Sequence, residues 1–141
     1  APDQVIAGQY TVEGEEKINL LFKLEPGTGI GAGSVSYENG MAVFTGAMTS
    51  VNYAARLHVV ADKEATIETS PKGITVSNAT EVSFYLKGGT NFNGDMEVLD
   101  NYFTSETPDD VNNRIKAEVE NAAAKGFAAV EKAHIEDFTA I

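Results

Sequence analysis

A glycine-rich run after the first predicted strands comes closest to a ligand-binding motif. The residues from Gly27 to Ala32 match the pattern G-x-G-x-x-A, in which glycines let the backbone approach a dinucleotide pyrophosphate. That motif needs a following helix that presents its N-terminus to the phosphates. Here the residues from Ser34 to Phe44 alternate around Asn39-Gly40, as in a β-hairpin. The run is therefore predicted to be a loop and not a nucleotide site.

The side chains that could hold metals or transfer protons are scattered along the chain. His58 and His134 fall on different predicted elements, and neither has a second ligand at the spacing of a zinc site. Asp95, Glu97 and Asp100 resemble a calcium-binding cluster but lack the glycine and the distal glutamate of an EF-hand loop. Cysteine is absent, which excludes thiolate catalysis and disulfides. We therefore expect no metal, no cofactor and no catalytic residue in this chain.

The charge balance excludes several classes of partner. The 141 residues include 21 acidic and 10 basic side chains, for a formal net charge of -11. Binding to a nucleic acid backbone or to an anionic membrane draws on clustered Lys and Arg, which are dispersed here. No apolar run approaches the roughly 20 residues of a membrane span. We therefore expect neither a nucleic acid nor a membrane as a partner.

The first hundred residues have the pattern of a β-sandwich. Twelve of the thirteen glycines lie at or before Gly94. Period-two alternation marks strands at 18–24, 51–59 and 82–87, and turn residues at Asn39-Gly40 and at 70–73 predict two hairpins. Short strands joined by tight turns are typical of stacked antiparallel sheets. The chain is therefore predicted to be mainly β, with an antiparallel β-sandwich over residues 1–100.

The remaining residues, 101–141, are predicted to be helical. Thr107 is an N-cap followed by Pro108 at the first helical position, and the pattern stops at Gly126. Val111, Ile115, Val119 and Ala122 form the apolar stripe of this helix. A second helical run has its own stripe, which must be buried against something and is assigned to interdomain packing. Its members are Phe127, Val130, His134, Phe138 and Ile141.

Several segments, in order, resemble the N-terminal domain of glycoside hydrolase family 95, the α-L-fucosidase family. Residues 2–6 are similar to the strand after the family's Arg-Glu-x-Phe-x-Ser segment, and 53–59 to its F-x-A-x-L-x-V strand. Residues 73–82 and then 89–92 resemble its L-x-V-x-G-A-D-x-V hairpin and the Thr-Asn-Phe that follows. Residues 134–141 resemble its H-x-x-D-Y-x-x-L helix. Asn78 and Thr80 replace the motif's glycine and aspartate, and Phe138 replaces its tyrosine.

The resemblance implies a part of a larger super-sandwich whose C-terminal helices form a linker toward an (α/α)6 catalytic barrel. In that family the acid and base carboxylates of an inverting hydrolysis lie in the barrel, so no catalytic residue carries over to this chain. The implied function is a non-catalytic accessory segment of a fucosidase-like enzyme, with the barrel of the parent chain as its partner. The compartment is left open, and an extracellular, cell-surface or periplasmic parent is the expectation.

An autonomous carbohydrate-binding module is the alternative function. Such modules stack sugar rings on exposed aromatic side chains. Tyr85 is the leading candidate because it is predicted to point outward, with Lys87 and Asn91 beside it, and fucosylated glycans are the expected ligand. In the accessory role, the loops at 27–34 and 90–95 are the candidates for reaching the rim of the substrate pocket, and the loop at 27–34 is also a candidate site of the module. A free-standing hydrolase would need two facing carboxylates, which the sequence does not establish.

Overall fold

A computed structural model describes residues 2–27, 33–94 and 102–140, and these contain eight strands followed by two helices. The strands are β1 (Ile6–Thr11), β2 (Ile18–Phe22), β3 (Gly33–Glu38), β4 (Met41–Ala47), β5 (Asn52–Ala61), β6 (Thr66–Ser70), β7 (Gly73–Ala79) and β8 (Glu81–Thr90). The helices are α1 (Pro108–Lys125) and α2 (Phe127–Thr139). The run from Thr28 to Ala32, the cluster of Asp95, Glu97 and Asp100, the predicted boundary at residue 100 and Ile141 lie outside the described residues.

Both predicted hairpins are present. β3 and β4 pair in register from Gly33–Gly46 to Glu38–Met41, around a two-residue turn. The φ angles of Asn39 and Gly40 in that turn are 51° and 74°, as a type I′ turn requires. β6 and β7 pair around Pro71 and Lys72.

The strands form two antiparallel sheets that stack as a sandwich, as predicted. The larger sheet has the order β1-β8-β5-β4-β3, and the smaller sheet has the order β2-β7-β6. Between them lies a buried core of Ala42, Leu57, Val59, Ile74, Val76, Ala79 and Val82. Each fully buried Val, Leu or Ile contributes roughly 1.5–3 kcal/mol relative to an exposed position. This core therefore fixes which face of each strand points inward.

Helix α1 packs against the outer face of the larger sheet, so the molecule has three layers there. The helix begins with a capping box, in which the Asp110 amide donates to Thr107 Oγ1 at 3.2 Å and the Thr107 amide donates to Asp110 Oδ2 at 2.9 Å. Its predicted stripe of Val111, Ile115, Val119 and Ala122 is fully buried. The sandwich and α1 therefore share one packed structure.

Gly89 of β8 permits the close approach of α1 to the sheet. A Cβ atom at this position would lie 2.8 Å from Ile115 Cγ2 and 3.2 Å from Val111 Cγ1. Ordinary side-chain contacts are longer than this, so any larger residue would push the helix outward. A glycine here is a requirement of packing and not of backbone conformation.

Helix α2 follows α1 after Gly126, whose φ of 84° redirects the chain. It lies against β1, with Val130 buried beside Val5 and Ala7. Lys125 at the end of α1 forms an ion pair with Asp3 at 2.7 Å, which fixes the N-terminal segment next to the junction of the helices. No helix in the described ranges is long and apolar enough to cross a membrane.

Candidate functional site

Tyr85, the predicted stacking platform, is buried. It projects from the outer face of the larger sheet, as its position in β8 predicts, but α1 covers that face. Its side chain packs with Val119, Ala122 and Val130, and the residue is only 2% exposed. Burial raises the pKa of its hydroxyl, an effect that a hydrogen bond with Ser83 partly offsets. The expectation that Tyr85 offers an open face to a sugar ring is therefore wrong.

Lys87 and Asn91 are also engaged inside the protein. Lys87 forms an ion pair with Glu118 of α1. Asn91 is 3% exposed, and its side chain accepts from the Asn52 amide at 2.9 Å and donates to the Thr104 carbonyl at 3.0 Å. Tyr85 and Lys87 thus lie on the face that packs under α1, and Asn91 ties β5 to the segment before α1. The three residues do not form a shared binding surface.

Arg56 is a buried charge that the sequence analysis did not single out. It lies on the outer face of β5, near the start of α1, and is 6% exposed. Its guanidinium donates to Asn112 Oδ1 at 3.1 Å and contacts Met41 Sδ at 3.4 Å, while Nε has no acceptor among the described residues. A buried guanidinium usually has a carboxylate partner. Alternation in β5 placed this side chain outward, but only the position of α1 shows that it is covered.

A polar groove of about 290 Å³ lies beside Arg56, between α1 and the β3–β4 hairpin. Hydroxyl, amide and carboxylate groups line it, so it offers both hydrogen-bond donors and acceptors. Its lining consists of Ser36, Glu38, Met41, Val43, Thr45, Arg56, Asp109 and Asn112. Glu38 and Asp109 are exposed carboxylates that line the same groove as the Arg56 guanidinium. Their negative charges would oppose binding of an anion there. The groove can hold polar groups by hydrogen bonds, but it contains no nucleophile paired with a base.

His58 lies two residues beyond Arg56 on the same face of β5. Its pKa is lowered, first by burial and second by the Arg56 guanidinium, while Glu120 acts in the opposite direction. Its Nδ1 atom is buried without a hydrogen-bond partner in the described part of the chain. His58 therefore binds a proton less readily than a histidine in water, which is typical of a packed histidine.

The stripe of α2 divides into a covered half and an open half. Phe127 and Val130 face β1, where they line a mainly apolar cavity of about 330 Å³ with Val5 and Ala7, and His134 lies at the edge of the same cavity. Toward the end of the helix Phe138 is 70% exposed, and its ring stacks on the ring of His134, with centroids 6.4 Å apart and planes at 25°. Ile135 beside them is 52% exposed. The structure thus brings the four described packing residues, Phe127, Val130, His134 and Phe138, onto one helix but leaves Phe138 uncovered.

Known proteins add no further assignment. No protein-family model matches the sequence, and no curated protein matches it either. Within residues 2–27, 33–94 and 102–140, no group of three or more potential ligands is placed to hold a metal ion. The candidate functional surface is therefore the open half of the α2 stripe, taken as His134 and Phe138 of the stripe together with the adjacent exposed Ile135.

Proposed function

We propose that this chain is a non-catalytic β-sandwich segment of a fucosidase-like glycoside hydrolase, and that it supports the catalytic (α/α)6 barrel of the parent chain. The observation that carries this proposal is the open half of the α2 stripe, where Phe138 is 70% exposed. A single exposed apolar residue needs no explanation. Ile135 and Phe138 are exposed together at the end of α2, with His134 beside them, and such a patch is of the kind that marks an interaction surface.

The open half of the stripe has the chemistry of an interface anchor. Phe138 supplies a large apolar ring, and its stacking on His134 holds both rings at the surface. Aromatic residues are enriched at the energetic centres of interfaces. Lys132 and Glu136 form an ion pair at 3.8 Å on the side of α2 away from Phe138, so the helix is polar there and apolar only on the side of Phe138. This arrangement favours a permanent protein surface as the partner over a soluble sugar.

The backbone at Asn78 supports the resemblance on which the enzyme class rests. Asn78 stands where the family's L-x-V-x-G-A-D-x-V motif has glycine. Its φ angle is 59°, in the left-handed region that glycine enters at no steric cost and asparagine at a small one. A positive φ at this position explains why a motif with this fold would carry glycine there. The replacement by asparagine is thus compatible with the same turn.

Burial of Tyr85 and Asn91 bears on the alternative of a carbohydrate-binding module. A sugar-stacking platform needs an open aromatic face, and α1 occupies the face that Tyr85 would offer. Asn91 uses its side-chain oxygen and nitrogen within the fold. Tyr85 and Asn91, which favoured an autonomous module in the sequence, are therefore used for packing and hydrogen bonding within the fold. This favours the accessory role.

The proposal is tested on the full product of the reading frame that encodes this chain. We expect that product to release 4-nitrophenol from 4-nitrophenyl α-L-fucopyranoside. Phe138→Glu should lower its melting temperature and its activity, because losing an aromatic anchor at an interface costs roughly 2 kcal/mol or more. Ala129→Glu is the matched control, since Ala129 lies nine residues before Phe138, which is about two and a half turns, and the substitution adds the same charge on the opposite side of α2.

Two results would overturn the proposal. One is a full-length product that has no barrel or does not hydrolyse the fucoside. The other is a Phe138→Glu protein that behaves like Ala129→Glu in both melting temperature and activity. As a check on folding, Phe138→Glu in the chain described here should keep its stability within about 0.5 kcal/mol, as expected for an exposed position.

A further inference from the structure

The guanidinium of Arg56 is buried without an ion pair in the part of the chain that the structure describes. Nη1 donates to the neutral amide oxygen of Asn112 at 3.1 Å, Nη2 contacts Met41 Sδ at 3.4 Å, and Nε has no acceptor. A guanidinium has five N–H donors in a planar fork that fits the two oxygens of a carboxylate. The fold therefore leaves both the charge of Arg56 and part of its donor set unused.

The polar groove beside Arg56 is built by two rigid elements. Its floor is the outer face of three paired strands, where Ser36 is opposite Val43 and Val43 is opposite Arg56. Its wall is the first part of α1, which contributes Asp109 and Asn112. The volume of about 290 Å³ is close to the lower limit of roughly 300 Å³ for small-molecule sites. The groove is therefore suited to a small polar molecule.

The charges of the groove are separated by depth. The positive charge of Arg56 is buried, whereas the negative charges of Glu38 and Asp109 are exposed. A simple anion would be attracted by the guanidinium and repelled by the two carboxylates, and a simple cation would meet the opposite pattern. A molecule that carries a carboxylate and an ammonium close together is complementary to both.

We infer that this groove binds a free α-amino acid with a small side chain, in its zwitterionic form. The carboxylate of the ligand accepts from Arg56, and its ammonium donates to Glu38 and Asp109. The hydroxyls of Ser36 and Thr45 are the remaining polar groups of the lining. This inference goes beyond the proposed function, because it uses no residue of α2 and does not depend on the enzyme class.

A neutral sugar is the competing ligand, since hydroxyls can both donate to carboxylates and accept from a guanidinium. A sugar would nevertheless leave the buried charge of Arg56 without a counter-charge. Buried charges in proteins are normally paired, and hydrogen bonds between two ionised groups are roughly twice as strong as neutral ones. The unpaired guanidinium therefore favours a ligand that has a carboxylate.

The probe is L-alanine, added to the chain and followed by amide NMR. We expect saturable shifts confined to β3, β4, β5 and the start of α1, with half-saturation at about 1 mM or below. N-acetyl-L-alanine lacks the ammonium, and L-alaninamide lacks the carboxylate. Each of these two ligands should bind at least about tenfold more weakly, because each loses one charge-assisted contact.

Two neighbouring asparagines of α1 give a matched pair of variants. Asn112→Asp places a carboxylate against Arg56, so it should raise the melting temperature and weaken L-alanine binding by about tenfold or more. Asn113→Asp adds the same charge at an exposed residue outside the groove lining, and should keep binding within about twofold.

A third variant tests the ammonium side of the groove. Asp109→Asn should weaken L-alanine binding by about threefold to tenfold, because the ammonium loses one of its two carboxylates. Asp109 is exposed and takes no part in the capping box of Thr107 and Asp110, so this variant is expected to fold. The amide spectrum of each variant shows whether it is folded.

Four results would overturn the inference. The first is the absence of shifts at about 10 mM L-alanine, a concentration that detects even weak binding. The second is binding of L-alaninamide or N-acetyl-L-alanine as tight as that of L-alanine, which would make the groove a site for a simple cation or a simple anion. The third is tighter binding of L-fucose than of L-alanine, which would make it a sugar site. The fourth is an equal effect of Asn112→Asp and Asn113→Asp.

Discussion

Helices α1 and α2 follow one another across Gly126, and both carry an apolar stripe, but only α1 has its stripe covered. Four residues of α1 are fully buried, whereas α2 buries only Val130 and leaves Phe138 mainly in solvent. α1 also begins with a capping box, while α2 begins at a glycine without a side-chain cap. An apolar stripe in the sequence therefore shows that one face of a helix must be covered. The position of the sheet decides whether this chain itself covers that face.

The first prediction contrasts one isoleucine from each helix. Ile115→Ala in α1 should lower the free energy of unfolding by roughly 2–5 kcal/mol, because it removes buried methyl groups and leaves a cavity. Ile135→Ala in α2 should change it by less than about 0.5 kcal/mol, because that residue is exposed. Urea unfolding followed by circular dichroism measures both values. Equal losses would mean that the two stripes are covered alike.

The second prediction concerns the close packing of α1 on β8. Gly89→Ala should destabilise the chain by about 1–3 kcal/mol, because its Cβ would overlap Ile115 and force the helix outward. Gly88→Ala is the control, since the nearest atom to its Cβ would be the Ala54 carbonyl oxygen at 3.8 Å. Thermal melting of the two variants compares them directly. A Gly88→Ala protein that is less stable than Gly89→Ala would contradict the helix packing.

The third prediction concerns the start of α1. Thr107→Ala should cost about 1 kcal/mol, because the Asp110 amide loses its side-chain acceptor. Thr139→Ala at the end of α2 is the comparison, and it should cost much less because Thr139 is exposed and bonds only to carbonyls of its own helix. The measurement is the urea midpoint of each variant. No loss for Thr107→Ala would show that the capping box contributes nothing to stability.

The fourth and smallest effect is a pH dependence from His58 under α1. Its pKa is lowered from the ordinary value of 6.5, so the unfolded chain binds a proton there more readily than the folded chain. The stabilising contribution is full above pH 6.5 and is lost as pH falls from 6.5 toward the folded pKa. His58→Gln should therefore lose less stability than the unmodified chain between pH 8 and pH 5.5, in parallel urea titrations. Identical pH profiles would contradict the lowered pKa of His58.

The elements that could be predicted from sequence are those set by local chemistry. Asn39-Gly40 forms its turn because of its own backbone preferences, and Thr107, Pro108 and Asp110 form the cap of α1 within one helical turn. The alternation of β8 also correctly placed Tyr85 on the outer face. These features depend on residues that are close in the chain, so a single sequence contains the information.

What could not be predicted depends on contacts between distant residues. Tyr85 was expected to be exposed, but the helix that covers it begins 23 residues later, at Pro108. The burial of Arg56 has the same cause. The strand order follows from pairings such as β1 with β8, which no local pattern specifies. The unequal sheets that leave Ile6 and Tyr10 exposed follow from the same order. The resemblance to family 95 stays a prediction, because nothing in the fold identifies a substrate.

The most direct test of the account is native-state hydrogen exchange along both helices of this chain. If α1 belongs to the core and the open half of α2 is covered only when a partner binds, the α1 amides from Val111 to Ala122 should exchange only through global unfolding. Amides after Ala133 should exchange at least about a hundredfold faster, through local opening. Equal protection along the two helices would contradict the account, because it would mean that the chain already stabilises α2 to its end without a partner.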